Sequence, residues 1–272
     1  MMLKNILNIA GWVVLGCGVI MSVGFVNMKK ESLLCKGVEI NIDRGLDHFF
    51  LEENDIRTML EEKQAHLQGK PIADINISML EKWVRINPFV ENAEVYSGID
   101  GTVHIDVKQR NPILRVIGGF DSYYIDGKGA FMPLSEKYSA RVPVATGFIY
   151  EPYVYREAKI IERNPDTSDV YRSIEPQYRY TLKDSLFTLA AFLNSSEFWK
   201  AQVQQIYVNE GHEFELVPTV GYHNIILGDL SDMEEKFDKL LKFYQMGLSK
   251  TGWNKYSVVN LKFKNQVVCN RR

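Results

Sequence analysis

The sequence contains little cysteine, the residue that forms disulfides and many structural zinc sites in small domains. It has three cysteines in 272 residues, Cys17, Cys35 and Cys269, and no two of them form a C-x-x-C pair. This excludes a disulfide framework and a cysteine-type structural zinc site. The sequence leaves open whether Cys35 and Cys269 pair. A net charge of −2 provides no general attraction to nucleic acid.

Motifs for catalysis are missing as well. The five histidines form no H-E-x-x-H motif, and the chain has no G-x-S-x-G nucleophile elbow. His212 and His223 flank a predicted pair of strands and could approach each other, which would be needed for a metal site there. Acidic pairs such as Glu52 and Glu53 fall on polar helix faces, where solvated carboxylates are expected. We therefore predict no catalytic, cofactor-binding or metal-binding residues, and no enzyme.

The segment "YYIDGKGAFMPL", 123–134, contains a Gly-Lys-Gly run that suggests a phosphate-binding loop. A P-loop needs glycine at the position of Ser122 and serine or threonine at the position of Gly129. Both requirements fail. Asp126-Gly127 is instead a strong signal for a tight turn between two strands. The segment predicts a hairpin.

The N-terminal region contains a long uncharged stretch. Residues 6–26 comprise 21 residues without a charged side chain. As a helix they span about 31 Å, close to the hydrocarbon thickness of a bilayer. We expect a cytoplasmic tail over 1–5, a transmembrane helix over 6–27 and a linker over 28–36.

Two other interpretations of this stretch are weaker. A cleaved signal peptide has a shorter apolar core and a small-residue cleavage site. A lipoprotein signal ending at Cys17 would be followed by a polar tether, whereas nine uncharged residues follow here. Lysines lie on both sides of the stretch, at Lys4 and at Lys29, Lys30 and Lys36, so charge alone leaves the orientation open.

The next seventy or so residues, 38–109, contain both strand-like and helix-like hydrophobic periodicity. Residues 38–42 alternate apolar and polar side chains, as a half-buried strand does. Two amphipathic helices are predicted over 51–63 and 77–86. A hairpin follows, with a turn over 97–101. The predicted order is β-α-α-β-β.

That order, with "NPFVENAEV" leading into the hairpin, resembles a POTRA domain. A POTRA domain directly after one membrane helix resembles the FtsQ/DivIB family of bacterial cell division proteins. Three later segments fit the family in order: "YYIDGKGAFMPL", "IILGDLSDMEEKFDKLLKFY" and "YSVVNLKFKNQVVC". The last one departs from the usual Val-Asp-Leu-Arg-Tyr at Asn260, Lys262 and Phe263. An interaction that used the arginine would be lost or weakened.

The resemblance implies an α+β chain with a POTRA domain over 37–109 and a β-rich domain over 110–272. In the β-rich domain, Thr181 with Asp184 and Ser231 with Glu234 predict two helix-capping boxes. Several helices should pack on the sheet there. The tyrosine-rich segment 150–180 has no family counterpart, and either a surface excursion or a contact site fits it.

The resemblance also implies a function in assembly. Family members bind the coiled-coil division proteins FtsB and FtsL outside the inner membrane, at the division septum, and so help to control septal cell-wall synthesis. The final strand is expected to form an edge to which a partner strand adds. For this contact we predict Phe263, Asn265, Val267 and Val268, unless 266–269 is a covered strand. The alternatives are a POTRA-containing envelope assembly or transport module and a membrane-anchored enzyme with an unrecognised site.

Overall fold

The computed structural model describes residues 33–45, 49–151 and 181–272, with six more residues near the N-terminus. Those six, 12, 15–18 and 21, are helical. Most of the predicted membrane helix over 6–27, and nearly all of the segment 150–180, lie outside the described residues. Among the described residues, no helix is both long enough and apolar enough to cross a bilayer.

The chain divides into two compact units, one ending at Arg110 and the other beginning at Asn111. The first contains β1 (Gly37–Asp43), α1 (Glu53–Glu62), a 3-10 turn (Ile72–Asp74), α2 (Ile77–Ile86), β2 (Val90–Ser97) and β3 (Thr102–Gln109). Its sheet has the order β1-β3-β2, with β3 parallel to β1 and antiparallel to β2. The predicted β-α-α-β-β order is confirmed.

Local sequence determines where the two helices of this unit begin. At α1, Glu52 and Asp55 form a reciprocal capping box, and at α2 the Asn76 side chain accepts a hydrogen bond from the Met79 amide. These groups satisfy amide donors that have no partner within the helix. Each helix then buries one apolar face against the sheet, through residues that include Leu60 and Val84.

Arginines of the two helices contact the outer strands of the first sheet. Arg57 donates a hydrogen bond of 3.3 Å to the carbonyl of Val38 in β1. Arg85 donates two, of 3.1 and 3.0 Å, to the carbonyl of Ala93 in β2. Each outer strand of this sheet therefore has a main-chain acceptor occupied by a helix side chain.

The second unit is built on one large sheet. It contains β4 (Pro112–Ile117), β5 (Ser122–Asp126), β6 (Phe131–Pro133), β7 (Val144–Gly147), α3 (Leu182–Asn194), α4 (Glu197–Gln202), β8 (Val203–Val208), β9 (Phe214–Pro218), β10 (Asn224–Gly228), α5 (Met233–Lys242), a π-helical segment (Phe243–Leu248), α6 (Ser249–Thr251), β11 (Tyr256–Asn260) and β12 (Val268–Arg271). The nine strands have the order β12-β11-β10-β9-β8-β7-β4-β5-β6.

Helices α3 and α5 contribute to the core of this unit, which also holds the buried side chains of its strands. The capping box predicted from Thr181 and Asp184 is confirmed, with Asp184 accepting hydrogen bonds from the Thr181 amide and hydroxyl. The box predicted from Ser231 and Glu234 is wrong. Helix α5 follows Asp232, a left-handed residue (φ 48°), and the Ser231 hydroxyl bonds to Asp229 instead.

The Gly-Lys-Gly segment is the turn between β5 and β6. One carboxylate oxygen of Asp126 accepts hydrogen bonds from the amides of Lys128 (2.9 Å) and Ala130 (2.7 Å). Gly129 has a φ of 83°, which glycine adopts without a steric cost. The hairpin prediction is confirmed, since the side chain of Asp126 closes the turn.

The three cysteines are free thiols. Cys35 is buried in the core of the first unit, and Cys269 is half-buried in the second. Burial raises the pKa of the Cys269 thiol, which reduces its fraction of reactive thiolate. The structure therefore contains no Cys35–Cys269 disulfide.

The turn allows a test of the fold. Replacing Asp126 with alanine should lower the free energy of unfolding by about 1–3 kcal/mol, because the buried amide of Ala130 loses its acceptor. Asp126→Asn keeps an acceptor oxygen at this position and should cost less. Urea unfolding of the full chain in detergent measures both variants. Equal stability of the alanine and asparagine variants would contradict this account of the turn.

Candidate partner-binding edge

The C-terminal hairpin forms one end of the large sheet. Strand β11 is parallel to β10 and antiparallel to β12, with Asn260 opposite Val268 and Val259 opposite Cys269. Val259 and the following Leu261 are fully buried and hold the hairpin on the core. In the part of the chain that the structure describes, β12 has a strand neighbour on one side only.

The structure places three of the four predicted contact residues before this strand. Phe263, Asn265 and Val267 lie in the turn between β11 and β12, and Val268 is the first residue of β12. In the sequence, Val259, Leu261 and Phe263 alternate with polar residues, which predicts a strand that continues through Phe263. That prediction is wrong, because β11 ends at Asn260.

Local hydrogen bonding and backbone geometry explain why β11 stops. The side-chain oxygen of Asn260 accepts a hydrogen bond of 3.0 Å from the Lys262 amide, which bends the chain as an Asx turn does. Asn265 then adopts a left-handed conformation with a φ of 59°. Asparagine tolerates this conformation better than most residues. The turn therefore depends on two asparagines.

Charged side chains fasten the turn to the rest of the domain. Lys239 of α5 donates a hydrogen bond of 2.9 Å to the carbonyl of Phe263. Lys262 forms an ion pair with Glu213. The hydrogen bond that Lys262 Nζ donates within this pair lowers the pKa of the Glu213 carboxyl. The stem of Lys262 passes so close to Gly228 that a Cβ there would lie 2.9 Å from Lys262 Cγ. A larger residue at position 228 would displace the lysine.

A cavity of about 230 Å³ adjoins this turn. Its wall contains both lysines and carboxylates, and the charges pair with each other. Lys236, which is nearly buried, lies 2.9 Å from Asp229, and Lys262 pairs with Glu213. These ion pairs hold the wall of the cavity together and give its charged groups a structural role.

The side chains of the edge alternate in their contacts. Val267 and Cys269 pack against the core, whereas Val268 between them is 38% exposed. Phe263 is 45% exposed. The predicted set therefore divides into two exposed apolar side chains, Phe263 and Val268, one exposed polar residue, Asn265, and one core-facing residue, Val267.

The far end of β12 is held by a contact that the sequence did not predict. The Arg272 guanidinium lies over the Tyr222 ring, 5.2 Å from its centroid, and the Arg272 amide donates to the carbonyl of Lys255. Tyr222 belongs to the loop between β9 and β10. No local pattern in the sequence links a C-terminal arginine to a tyrosine fifty residues earlier.

A buried polar cluster lies beside the same loop. His223 is 1% exposed, and its Nε2 atom is 2.9 Å from the hydroxyl of Tyr244 in the π-helical segment. Its ring also contacts Trp253, just before β11. Burial lowers the pKa of His223 and raises that of Tyr244. His212 is exposed, and no metal-binding group of three or more candidate ligands occurs within the described ranges.

The opposite edge of the sheet is formed by β6, which is less suited to the addition of another strand. Strand β6 has three residues and ends at Pro133. Proline has no amide hydrogen, so this strand offers little to an added strand. Strand β12 contains no proline. Of the two edges, β12 is the one suited to strand addition.

Comparison with known proteins identifies the family of this chain. Residues 111–270 match the family model described as FtsQ/DivIB, C-terminal related, and residues 33–108 match a POTRA-like domain. The first match covers more than half of the chain. The chain belongs to the FtsQ/DivIB family.

Two curated relatives agree with this assignment of the FtsQ/DivIB chain. The cell division protein FtsQ of Geotalea daltonii is 25% identical over 251 residues, which cover 89% of this chain and 80% of that protein. The cell division protein FtsQ of Rhodothermus marinus is 24% identical over 205 residues, which cover 74% and 67%. These relatives indicate a cell division protein, built from a POTRA-like domain and a β-rich domain with packed helices.

His223 makes the stability of the FtsQ/DivIB domain depend on pH. Its folded-state pKa lies below the unfolded value of about 6.5, so the unfolded chain binds the proton first. Stability should be full above that value and should fall as the pH drops towards the lowered folded pKa. Thermal or urea unfolding between pH 7.5 and 5 measures this loss. The loss should shrink in His223→Gln and persist in His212→Asn, whose histidine is exposed. An unchanged pH dependence in His223→Gln would contradict the assignment.

Proposed function

We propose that this chain is a single-pass scaffold of the cell division machinery that works by contact and has no catalytic role. A helix over 6–27 would anchor it in the inner membrane, with the tail 1–5 in the cytoplasm. The linker 28–36, the POTRA domain 37–109 and the β domain 110–272 would lie outside that membrane, at the septum. Its partners are coiled-coil division proteins of the FtsB and FtsL type, and through them it helps to control septal cell-wall synthesis.

The observation that carries this proposal is that one side of β12 has no strand neighbour among the described residues. A strand with one neighbour has main-chain donors and acceptors on its free side, and a partner strand can bond to them. The other edges of the two sheets are less suitable, since β6 ends in proline and the outer strands of the first sheet have carbonyls bonded to arginines.

Specificity in strand addition comes from the side chains beside the edge. Val268 and Phe263 supply exposed apolar surface there, and Asn265 shapes the turn that presents it. Lys262, at the position where the family usually has arginine, is paired with Glu213. Contact with the partner should therefore rest more on the apolar residues than on this cation.

The exposed residues allow a direct test. Val268→Asp and Phe263→Ala should each weaken the binding of a co-expressed FtsB-type partner by about tenfold or more, as expected when an anchoring apolar contact is lost. Pull-down and biolayer interferometry of detergent-solubilised full chain measure this. Ile99→Asp is the matched control, because Ile99 is fully exposed on a turn of the first domain.

Val267 differs from the two exposed residues because its side chain packs against the core. Since Val267 packs on the core, Val267→Asp should reduce both partner binding and the stability of the domain. Val268→Asp and Phe263→Ala should leave the unfolding midpoint near the wild-type value. If both exposed-residue variants bind the partner as the wild type does, β12 is not the contact.

Localisation tests the broader function. A fluorescent fusion of the full chain in dividing cells should concentrate at midcell, and Val268→Asp should reduce that concentration if partner contact retains the protein there. A uniform envelope signal from the wild-type fusion would contradict a role at the septum and favour an envelope assembly or transport module.

A further inference from the structure

The chain enters the first unit through a short segment, residues 33–36, that is bonded to the rest of the unit. Within this entry segment, Leu34 forms an isolated antiparallel bridge with Pro71. The Cys35 amide donates a hydrogen bond of 2.8 Å to the carbonyl of Lys70, and the Cys35 side chain is buried. The last four residues of the proposed linker are therefore held by the first unit.

The free tether between the proposed membrane helix and the first unit is consequently short. If the helix ends at residue 27, the chain from there to Leu33 spans at most about 20 Å when fully extended. This is less than the thickness of the hydrocarbon core of a bilayer, which is about 30 Å. The end of the unit that carries the entry segment must therefore lie close to the bilayer surface.

The turn between β2 and β3 lies at the same end of the unit. The Lys36 amide donates a hydrogen bond of 2.9 Å to the carbonyl of Gly101 in this turn. Gly101 has a φ of 94°, and a Cβ there would lie 2.7 Å from the carbonyl oxygen of Leu34. Glycine thus allows the turn to pack directly on the entry segment. A tether that brings the entry segment to the bilayer brings this turn with it.

An isoleucine occupies the tip of this turn. Ile99 is fully exposed, between Gly98 and Asp100. The Asp100 carboxylate accepts hydrogen bonds from the Thr102 amide (3.1 Å) and hydroxyl (2.8 Å), which hold the turn in shape. Leu34 in the entry segment is 53% exposed. This end of the unit therefore presents two exposed apolar side chains.

Two exposed lysines lie at this end as well. Lys36 belongs to the entry segment, and Lys70 bonds to that segment through its carbonyl. Hydrogen bonds from Thr102 lower the pKa of the Asp100 carboxyl, and the nearby Lys36 adds to this shift. Asp100 therefore stays ionised and offsets one of the two positive charges. The remaining positive charge favours a surface of negatively charged lipid headgroups.

We propose that this end of the first unit rests on a bilayer containing anionic phospholipid, with Ile99 inserted among the headgroups and Lys36 and Lys70 beside lipid phosphates. The inference deepens the proposed function and rests on it for the membrane helix over 6–27. One isoleucine is too little apolar surface to bind a membrane from solution, since even a single myristoyl chain binds only marginally. The short tether compensates for this, because it keeps the tip at a high effective concentration beside the bilayer.

Lipid contact at the tip would set the orientation of the first unit on the membrane. A helix and a tether alone leave the unit free to tilt, whereas a second attachment at Ile99 restricts the tilt. Ile86, which ends α2 just before β2, is also exposed, at 72%. The eight residues of β2, about 26 Å in length, separate it from the turn that carries Ile99. The two isoleucines should therefore differ in their distance from the lipid.

These two isoleucines provide a matched test. Ile99→Trp and Ile86→Trp are each made in the full chain and reconstituted into vesicles of phosphatidylcholine and phosphatidylglycerol in a three-to-one ratio. Phosphatidylcholine brominated on its acyl chains quenches tryptophans that contact the bilayer. After subtraction of the wild-type emission, the quenched fraction should be at least threefold larger for Ile99→Trp than for Ile86→Trp. Tryptophan has the same affinity for the membrane interface in both variants, so the difference reports position. Equal quenching in the two variants, or none in either, overturns the inference.

Charge reversal tests the role of the lysines. Added to Ile99→Trp, the pair Lys36→Glu and Lys70→Glu should reduce the quenched fraction at least twofold, whereas Lys82→Glu, an exposed change on α2, should leave it intact. Vesicles of phosphatidylcholine alone should show a similar reduction without the charge reversals. Quenching that survives both the double reversal and the neutral lipid shows that the lysines do not bind lipid phosphates.

Alkaline carbonate extraction of the same vesicles separates this inference from the proposed function. If the chain stays in the vesicles while Ile99→Trp and Ile86→Trp do not differ, the lipid contact is wrong and the membrane anchor stands. If carbonate releases the chain, the anchor is wrong, and the contact that needs its tether is wrong with it. The vesicles contain no division protein, so binding at β12 affects neither result. The pull-down with Ile99→Asp is made in detergent without a bilayer, so that variant remains a control there.

Discussion

The parallel pairing of β11 with β10 is the interaction on which the C-terminal edge depends. A parallel neighbour needs a crossover connection, and α5 with the π-helical segment supplies it. That crossover buries Phe237 and Leu240 on the sheet, and β11 buries Val259. Because β10 occupies one side of β11, its hairpin partner β12 must pair on the other side, at the end of the sheet. The exposure of β12 thus follows from apolar packing on the face of the sheet, at some distance from the edge itself.

The sequence predicts much of the fold because hydrophobic periodicity is a local property. The first unit and the Asp126 hairpin follow from periodicity and turn chemistry. Periodicity fails after Asn260, where Leu261 and Phe263 continue the alternation although the Asn260 side chain bends the chain. The order of the nine strands, and the contact of Arg272 with Tyr222, join residues far apart in the chain. No short pattern encodes such contacts, and the turn that holds Phe263, Asn265 and Val267 was predicted as strand for the same reason.

The edge strands of the two sheets differ in how far their main-chain groups are occupied. In the first, helix arginines bond to carbonyls of both outer strands. In the second, one edge is three residues long and ends in proline, while the other has no further strand beside it in the part of the chain that the structure describes. Unpaired main-chain groups on an edge strand can bond to a strand of any other chain, so proteins usually shorten, interrupt or cover such edges. Among the described residues, β12 is therefore the edge strand whose main-chain groups are least protected against the addition of another strand.

The shortness of β12 limits how long such a contact lasts. Four residues, Val268–Arg271, present few main-chain groups to an added strand. Each hydrogen bond contributes only about 0.5–1.5 kcal/mol net, so this contact alone gives a complex that dissociates quickly. A long residence time requires a second attachment to the same partner, which raises the effective concentration of the strand beside its edge. For the membrane-anchored scaffold proposed above, a partner anchored in the same membrane would provide that attachment, and its release from the membrane would end it. The length of one strand thus favours an assembly that forms readily and comes apart when its components disperse.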